Sequence, residues 1–441
     1  MIYFNSDYLE GAHPALMAKL NETNMVQTVG YGEDEYCAAA RVKIQNACQA
    51  PEADVHFLVG GTQTNTTVIA AVLRPWQGVL CAVSGHINCH EAGAIESTGH
   101  KVITLPTTNG KITAQQVQEY VEWHRNDEST EHIVQPGMVY ISYPTEGGTL
   151  YSKAELTELY DVCRRYGLPL FIDGARLGYG VMADGADLTL PEIAHLCDVF
   201  YIGGTKVGAL FGEAVVIMNP ALKKDFRFMM KQRGGRMAKG RLLGIQFDAL
   251  FTADLYFKIS RHANVMAKKI HAIFEDCGYK FLFDSPTNQQ YPIMSDAELA
   301  ILGQSFGYEY WDRVDADHSA IRFASSWATK EENITALRRA VEELKKSGVE
   351  CILCQDDYIC DEVVRKLARM GVRIPDQMKV ASCHYSRILE NYPVTITSLK
   401  FNITELGRRS CQVLLDMIHG KTVPDKTLLD YEIILKESTK G

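Results

Sequence analysis

The sequence predicts an α/β protein built on a mostly parallel sheet covered by helices on both faces. Two observations carry this expectation. Short apolar runs recur through the first half of the chain: VLCAV (79–83), KVITL (101–105), MVYIS (138–142), LPLFI (168–172), VFYIG (199–203) and AVVIM (214–218). Amphipathic helical stretches lie between several of them, and this alternation is the signature of a layered parallel sheet. At 441 residues the chain is also too long for one ordinary core, so two or three domains are expected.

Taken in order, the elements divide the chain. Ser152 and Glu155 form a capping box that opens a helix to about Tyr166. From about 241 to 275 the pattern is helical and long. Shorter elements bracketed by glycine and turn residues run to about 325. A second capping signal, Thr329 to Glu332, opens a helix through Leu344. After Lys345-Lys346-Ser347-Gly348 the strand–helix rhythm restarts with CILC (351–354) and a helix from about 357 to 370. The expected domains are a large α/β domain over 1–250, a smaller α+β domain over 251–345, and an appended α/β segment over 346–441.

Composition narrows the function classes. Hydrophobic residues make up 46% and charged residues 22%, the balance of an ordinary globular protein. The net charge is -9 and no long basic run occurs, which argues against nucleic acid as a main partner. MIYFNSDYLE lacks the basic start and apolar stretch of a signal peptide. No apolar run approaches the length that spans a bilayer, so no membrane partner is expected. Twelve scattered cysteines fit a cytoplasmic protein with reduced thiols.

In such sheets sites gather at the carboxyl ends of strands. The run FIDGARLGYG (171–180) ends a strand in Asp173, where a carboxylate can pair with a protonated ring nitrogen. Its bland alternative is an Asp capping the next turn. The run DVFYIGGTKVGAL (198–210) ends another strand in Gly203-Gly204-Thr205-Lys206. A lysine so placed can form a Schiff base with an aldehyde cofactor, though a lone lysine is usually a loop residue. Gly60-Gly61-Thr62 lies between a strand and a helix, where backbone N–H groups and a hydroxyl receive phosphate. His86 follows VLCAV and can stack on a flat ring. His86, Cys89, His90 and Glu91 invite a metal reading, but the spacing is not His-Glu-x-x-His and no further ligand set is evident, so no metal is expected. Glu91 is read as orienting a neighbouring polar group.

Together these motifs carry a resemblance. NSD (5–7), YGED (31–34), GGTQTN (60–65), HINCHEAG (86–93), FIDGARL (171–177), GGTK (203–206) and the GKGRLLGIQF-like stretch at 239–247 occur in order. Residues 1 to about 345 resemble a threonine aldolase of the β-eliminating-lyase superfamily, with the pyridoxal-phosphate fold type I of aspartate aminotransferase. The resemblance implies pyridoxal 5'-phosphate as cofactor and an amino acid as small-molecule substrate. It implies Lys206 as the Schiff-base lysine, Asp173 on the pyridinium nitrogen, His86 stacked on the ring, and Gly61 and Thr62 on the phosphate. Ser6, Arg176 and Arg322 would hold the substrate carboxylate. A phosphate arginine is expected in RGGRMAKGRLLG (233–244), where Arg236, Lys239 and Arg241 compete, and relatives often place it across a subunit interface. A homodimer or homotetramer is therefore expected.

The resemblance implies cleavage of a β-hydroxy-α-amino acid, of the L-threonine or L-allo-threonine type, to glycine and an aldehyde. One departure bears on this: many relatives carry Asn-Thr-His after the strand equivalent to MVYIS, and here the text is YPTEGG (143–148). A histidine discussed as a base is absent, and Glu146 stands nearby. His86, or a water held by it with Glu91, is then the first choice of base. The alternatives are phenylserine cleavage or β-elimination to ammonia and pyruvate. A rival of another class is a non-catalytic ligand sensor.

Residues 346–441 resemble part of one effector-binding lobe of lactose-repressor-type regulators, with Asp356-Asp357 where that family has Asn-Asp. The helix-turn-helix, the other lobe and the hinge of that family are missing. The segment reads as a fused fragment. Cys351 and Cys354 fall on opposite faces of a strand, which argues against a zinc site.

Overall fold

A computed structural model of the chain describes residues 1–346 and 351–439, so the Ser347-Gly348 punctuation lies outside the described residues. The chain divides into two compact units, Met1–Glu342 and Glu343–Gly441.

The first unit is organised by a seven-stranded sheet. Its strands are β1 (Asp54–Leu58), β2 (Gln77–Ala82), β3 (Val102–Leu105), β4 (Gln135–Ser142), β5 (Leu170–Asp173), β6 (Val199–Gly203) and β7 (Glu213–Ile217). Their spatial order is β1-β7-β6-β5-β4-β2-β3. All neighbours are parallel except at β7, which runs against both β1 and β6. The apolar runs are continuous because successive side chains feed two cores. Leu80, Val139, Ile141, Leu170, Ile172, Phe200 and Ile202 enter one cluster. Val79, Cys81, Met138, Tyr140, Phe171, Val199 and Tyr201 enter the other. Parallel pairing then places the carboxyl ends of β2, β4, β5 and β6 along one edge.

Local chemistry sets the helices. Ser152 Oγ accepts from the Glu155 N–H at 3.2 Å and Glu155 Oε2 accepts from the Ser152 N–H at 2.7 Å, so the capping box closes in both directions. The helix Lys153–Tyr166 ends at Gly167 in the left-handed region, φ 70°. The long helical stretch expected over 241–275 is two helices, Arg241–Leu250 and Leu255–Asp276. Ala253 and Asp254, at φ 51° and 58°, break it between them. The second expected capping box does not form. Thr329 Oγ1 accepts from the Ser326 N–H at 2.8 Å instead, and the helix opens two residues later, over Glu331–Lys346.

A smaller sheet in the same unit joins Gln289–Gln290, His318–Ala324, Pro292–Ser295 and Lys280–Phe281, with Glu309–Arg313 also on His318–Ala324. The N-terminal arm is bound to this region. Ile2–Tyr3 pairs with Phe306–Gly307, and the Ala324 N–H donates to the Phe4 carbonyl at 2.6 Å. That places Asn5, Ser6 and Asp7 beside the strand bearing Arg322.

The second unit is a four-stranded sheet, Cys351–Cys354, Lys379–Ser382, Thr397–Phe401 and Tyr431–Ile434, the last antiparallel. Helix Asp357–Arg369 packs Cys360, Val364 and Leu367 against Val380, Leu389 and Ile396. Asp356 is spent as its cap, accepting from the Ile359 N–H at 2.8 Å. Cys351 is exposed and Cys354 buried, as strand alternation requires. Among the described residues no helix is long and apolar enough to cross a membrane.

Candidate active site

The strands deliver the polar residues to one place. Asp173 closes β5 and Gly203 closes the adjacent β6, with Lys206 in the turn beyond. A Cβ on Gly174 would lie 1.9 Å from the Tyr201 carbonyl oxygen, and one on Gly203 would lie 2.2 Å from that of Ala175. These glycines are needed because two strand ends meet backbone to backbone.

Asp173 is buried, yet both its oxygens are satisfied. Oδ2 accepts from the Tyr140 hydroxyl at 2.6 Å and the Asn65 amide at 3.1 Å; Oδ1 accepts from the Tyr201 hydroxyl at 2.5 Å and the Ala175 N–H at 3.0 Å. Burial alone would raise its carboxyl, but the His86 imidazole and these donors hold it below the usual range. It is a fixed negative charge under the site.

Lys206 is shaped by opposite forces. Burial and the Arg176 guanidinium lower its affinity for a proton, against the pull of Asp7, Asp173 and Glu213. A lysine so lowered is a better nucleophile near neutrality. Its turn is held by Glu213, which sequence reading missed. Glu213 accepts from the Gly204 N–H at 3.0 Å and the Thr205 hydroxyl at 2.8 Å, and burial raises its carboxyl. The signal was present: an acidic residue opens the otherwise apolar strand EAVVI. The Tyr179 hydroxyl donates to the Lys206 carbonyl at 2.5 Å.

Lys206, His86, Arg176 and Arg322 line one cavity of about 480 Å³, with Tyr8, Ser84, Cys89, His90, Glu146, Glu309, Tyr310 and Trp311. His86 Nδ1 lies 2.9 Å from Glu91 Oε1, which also accepts from Asn65 at 2.7 Å. A chain of contacts thus runs His86–Glu91–Asn65–Asp173. Glu91 Oε2 and Ser6 Oγ are buried with no hydrogen-bond partner. Arg322 donates to the Asn5 carbonyl at 3.0 Å and Gln289 Oε1 at 3.2 Å, and its Nε is buried and unpartnered. Arg176 is more committed than expected: Asp7 takes its Nε and Nη2.

Gly61 and Thr62 open the helix Gly61–Val72, and Gly60 supplies no side-chain cap to its first N–H groups. Residues 233–236 lie against this helix start: Gln63 Nε2 donates to the Arg233 carbonyl at 3.1 Å, and the Nε atoms of Arg233 and Arg236 are buried without partners. The Arg236 guanidinium faces Tyr31 at 5.8 Å and Glu33 at 3.7 Å. Lys239 is exposed. Arg241 is employed elsewhere, donating to the carbonyls of Thr23 and Asn24 at the end of the helix Pro14–Thr23 and to that of Val26 just beyond it.

This set fits pyridoxal phosphate. It offers an amine, a buried carboxylate fixed by four donors, an uncapped helix start beside two arginines, and orphaned polar atoms around the cavity. Fold and site together define an α/β protein of the pyridoxal-phosphate-dependent enzyme class. The chain belongs to the beta-eliminating lyase family, whose model matches residues 4–300. A threonine aldolase structure from Leishmania major is 42% identical, with a TM-score of 0.76 over 78% of this chain and 100% of that one. A low specificity L-threonine aldolase from Pseudomonas sp. is 29% identical over 339 residues, 76% of this chain and 95% of its own length. A Thermus thermophilus aspartate aminotransferase, at 13% identity, shares the fold alone, with a TM-score of 0.58 over 78% of this chain and 91% of that one. Residues 310–439 match a periplasmic binding protein-like domain. That match begins inside the first unit, since 309–313 and 318–324 are strands of the smaller sheet.

Proposed function

We propose that the chain cleaves β-hydroxy-α-amino acids of the threonine type to glycine and an aldehyde. The observation that carries this reading is one cavity holding a lysine and an arginine above a buried carboxylate: Lys206, Arg322 and Asp173. The 42% identity to a threonine aldolase across that protein's full length supports the reaction class.

In this reading Lys206 carries the cofactor, Asp173 meets its ring nitrogen, and His86 covers its face. Gly61, Thr62 and Arg236 hold its phosphate. Bound there, pyridoxal phosphate supplies an electron sink for the carbon–carbon bond pair. The residues do the rest. Arg322, which lines the cavity, offers its guanidinium to the substrate carboxylate, and Ser6, with a buried unpartnered hydroxyl, adjoins Asn5, to whose carbonyl Arg322 donates. Asp7 takes the Arg176 Nε and Nη2, so that guanidinium meets the cavity in one orientation as half of an ion pair. The four donors on Asp173 keep it ionised while charge moves above it. Glu91 fixes the orientation of the His86 ring.

The same reading extends to a cytoplasmic homo-oligomer. The assembly is suggested by the arginine-rich segment 233–241, and the compartment by the scatter of twelve cysteines through otherwise ordinary segments. Light scattering at assay concentration tests the assembly. The reaction is tested by supplying L-threonine, L-allo-threonine and phenylserine and assaying both product pairs. Glycine with aldehyde is expected; ammonia with a keto acid would mean β-elimination instead.

A further inference from the structure

Two carboxylates that line the cavity, Glu146 and Glu309, hold neither cofactor nor substrate, and Glu309 pairs with Arg322 at 3.7 Å. Glu146 follows β4 and lines the same cavity as Lys206 and Arg322. Its Oε1 is engaged, accepting from the Ser142 hydroxyl at 2.6 Å and from the His86 backbone N–H at 2.9 Å. The Tyr291 hydroxyl donates to the Glu146 carbonyl at 2.6 Å, so the backbone is held as well. The hydrogen bonds from other described residues both reach Oε1, the Glu146 backbone N–H also acts on the carboxylate, and Oε2 is not among the buried orphans. The nearby carboxylates are committed: Asp173 to four donors, Asp7 to Arg176, Glu91 to Asn65 and His86, and Glu309 to Arg322.

Resting on the aldolase reading, we propose that Glu146 Oε2 is the acid–base atom of carbon–carbon cleavage, taking the substrate's β-hydroxyl proton. The step balances within the site. The O–H bond breaks and its proton joins Oε2; the oxygen lone pair forms the aldehyde C=O as the Cα–Cβ bond breaks. The bonding pair stays with Cα, and the proton held on Glu146 returns there to complete glycine. Lys206 then recovers its own place without net gain or loss of protons.

The electrostatics agree with the geometry. Burial raises the Glu146 carboxyl, the Ser142 hydrogen bond offsets part of the rise, and Asp173 adds to it. A carboxylate nearer neutrality in proton affinity is a better base at working pH. His86, tied to Glu91 and acting electrostatically on Asp173, is then left as a ring-covering residue.

Glu146→Gln tests this, because an amide oxygen still accepts from Ser142 and His86 but takes no proton. Aldehyde release by the holoenzyme is expected to fall by ~10²–10⁴-fold. The glycine dissociation constant, from equilibrium dialysis, should stay within about threefold, because glycine has no β-hydroxyl and needs no such base. Glu146→Ala should lose as much and regain at least about tenfold with added formate, which replaces the missing carboxylate. Turnover by Glu146→Gln close to the unaltered level would overturn the assignment of Glu146 alone. So would glycine affinity that falls in step with turnover, or formate that restores nothing. An unaltered enzyme that releases no aldehyde would overturn the aldolase reading and this assignment together.

Discussion

Arg176 and Asp7, 169 residues apart in sequence, close on each other through two hydrogen bonds of 2.7 and 3.0 Å. Both side chains are nearly buried, and Asn288 donates to the same carboxylate at 2.9 Å. The pair ties the N-terminal arm to the turn after β5.

Removing one partner leaves a buried charge alone. Asp7→Asn should therefore destabilise the first unit by ~3–5 kcal/mol at neutral pH, read by urea unfolding. The pH dependence has a definite sign. Burial alone would raise the Asp7 carboxyl, but Arg176 and Lys206 outweigh it and lower it to about 2, below its unfolded value. Its contribution is full above the unfolded value near ~3.9 and is lost as pH falls toward the folded one. The gap between the unaltered chain and Asp7→Asn should narrow between about pH 4 and 2. A gap independent of pH across that window would show that the Asp7 charge is not what stabilises.

Asp173→Asn keeps the shape of the side chain and removes its charge. The Tyr140 and Tyr201 hydroxyls would then face a neutral amide. Cleavage should drop by ~10²–10³-fold, with weaker retention of pyridoxal phosphate, measured by turnover and by cofactor content after dialysis. Unchanged turnover would remove Asp173 from the site.

The large sheet was legible because its strands are buried on both faces, so VFYIG (199–203) reads as one apolar run and matches β6 residue for residue. The Ser152–Glu155 box was legible because capping is local. Contacts that depend on neighbouring strands were not. Tyr140 and Tyr201 look like core aromatics in the sequence. Only the pairing of β4, β5 and β6 brings their hydroxyls to Asp173. The Asp7–Arg176 pair was hidden for the same reason: no local spacing connects residue 7 to residue 176. Arg241 illustrates the converse, a motif residue whose guanidinium goes to the end of the helix Pro14–Thr23. Thr329 had the spacing of a cap, but a neighbouring N–H competed for its hydroxyl.

Lys206→Ala should abolish turnover and covalent attachment of the cofactor, read by mass after borohydride treatment. It should not unfold the protein. Burial already penalises the charged amine, and Tyr179 and Glu213 hold the turn through the Lys206 carbonyl, the Gly204 N–H and Thr205, none of which the substitution removes. The melting temperature of the cofactor-free forms should differ by no more than about 4 °C. Persistence of the reducible linkage would move the attachment to another lysine.

A chain ending at residue 346 should keep kcat/KM for cleavage within about threefold of the full chain. Every side chain placed in the cavity or beneath it belongs to Met1–Glu342. The second unit has its own small core around Cys360, Val364, Val380 and Ile396. Its outer elements are different. Helix Ile403–Ile418 buries none of its residues, and Ile403, Ile418 and Leu435 are 74%, 69% and 69% exposed. Apolar surface of that kind drives association in water. The shortened chain should therefore be more soluble or smaller in assembly, by sedimentation, while turning over at the same rate. If it keeps its fold but no longer binds pyridoxal phosphate, the second unit is part of what builds the site.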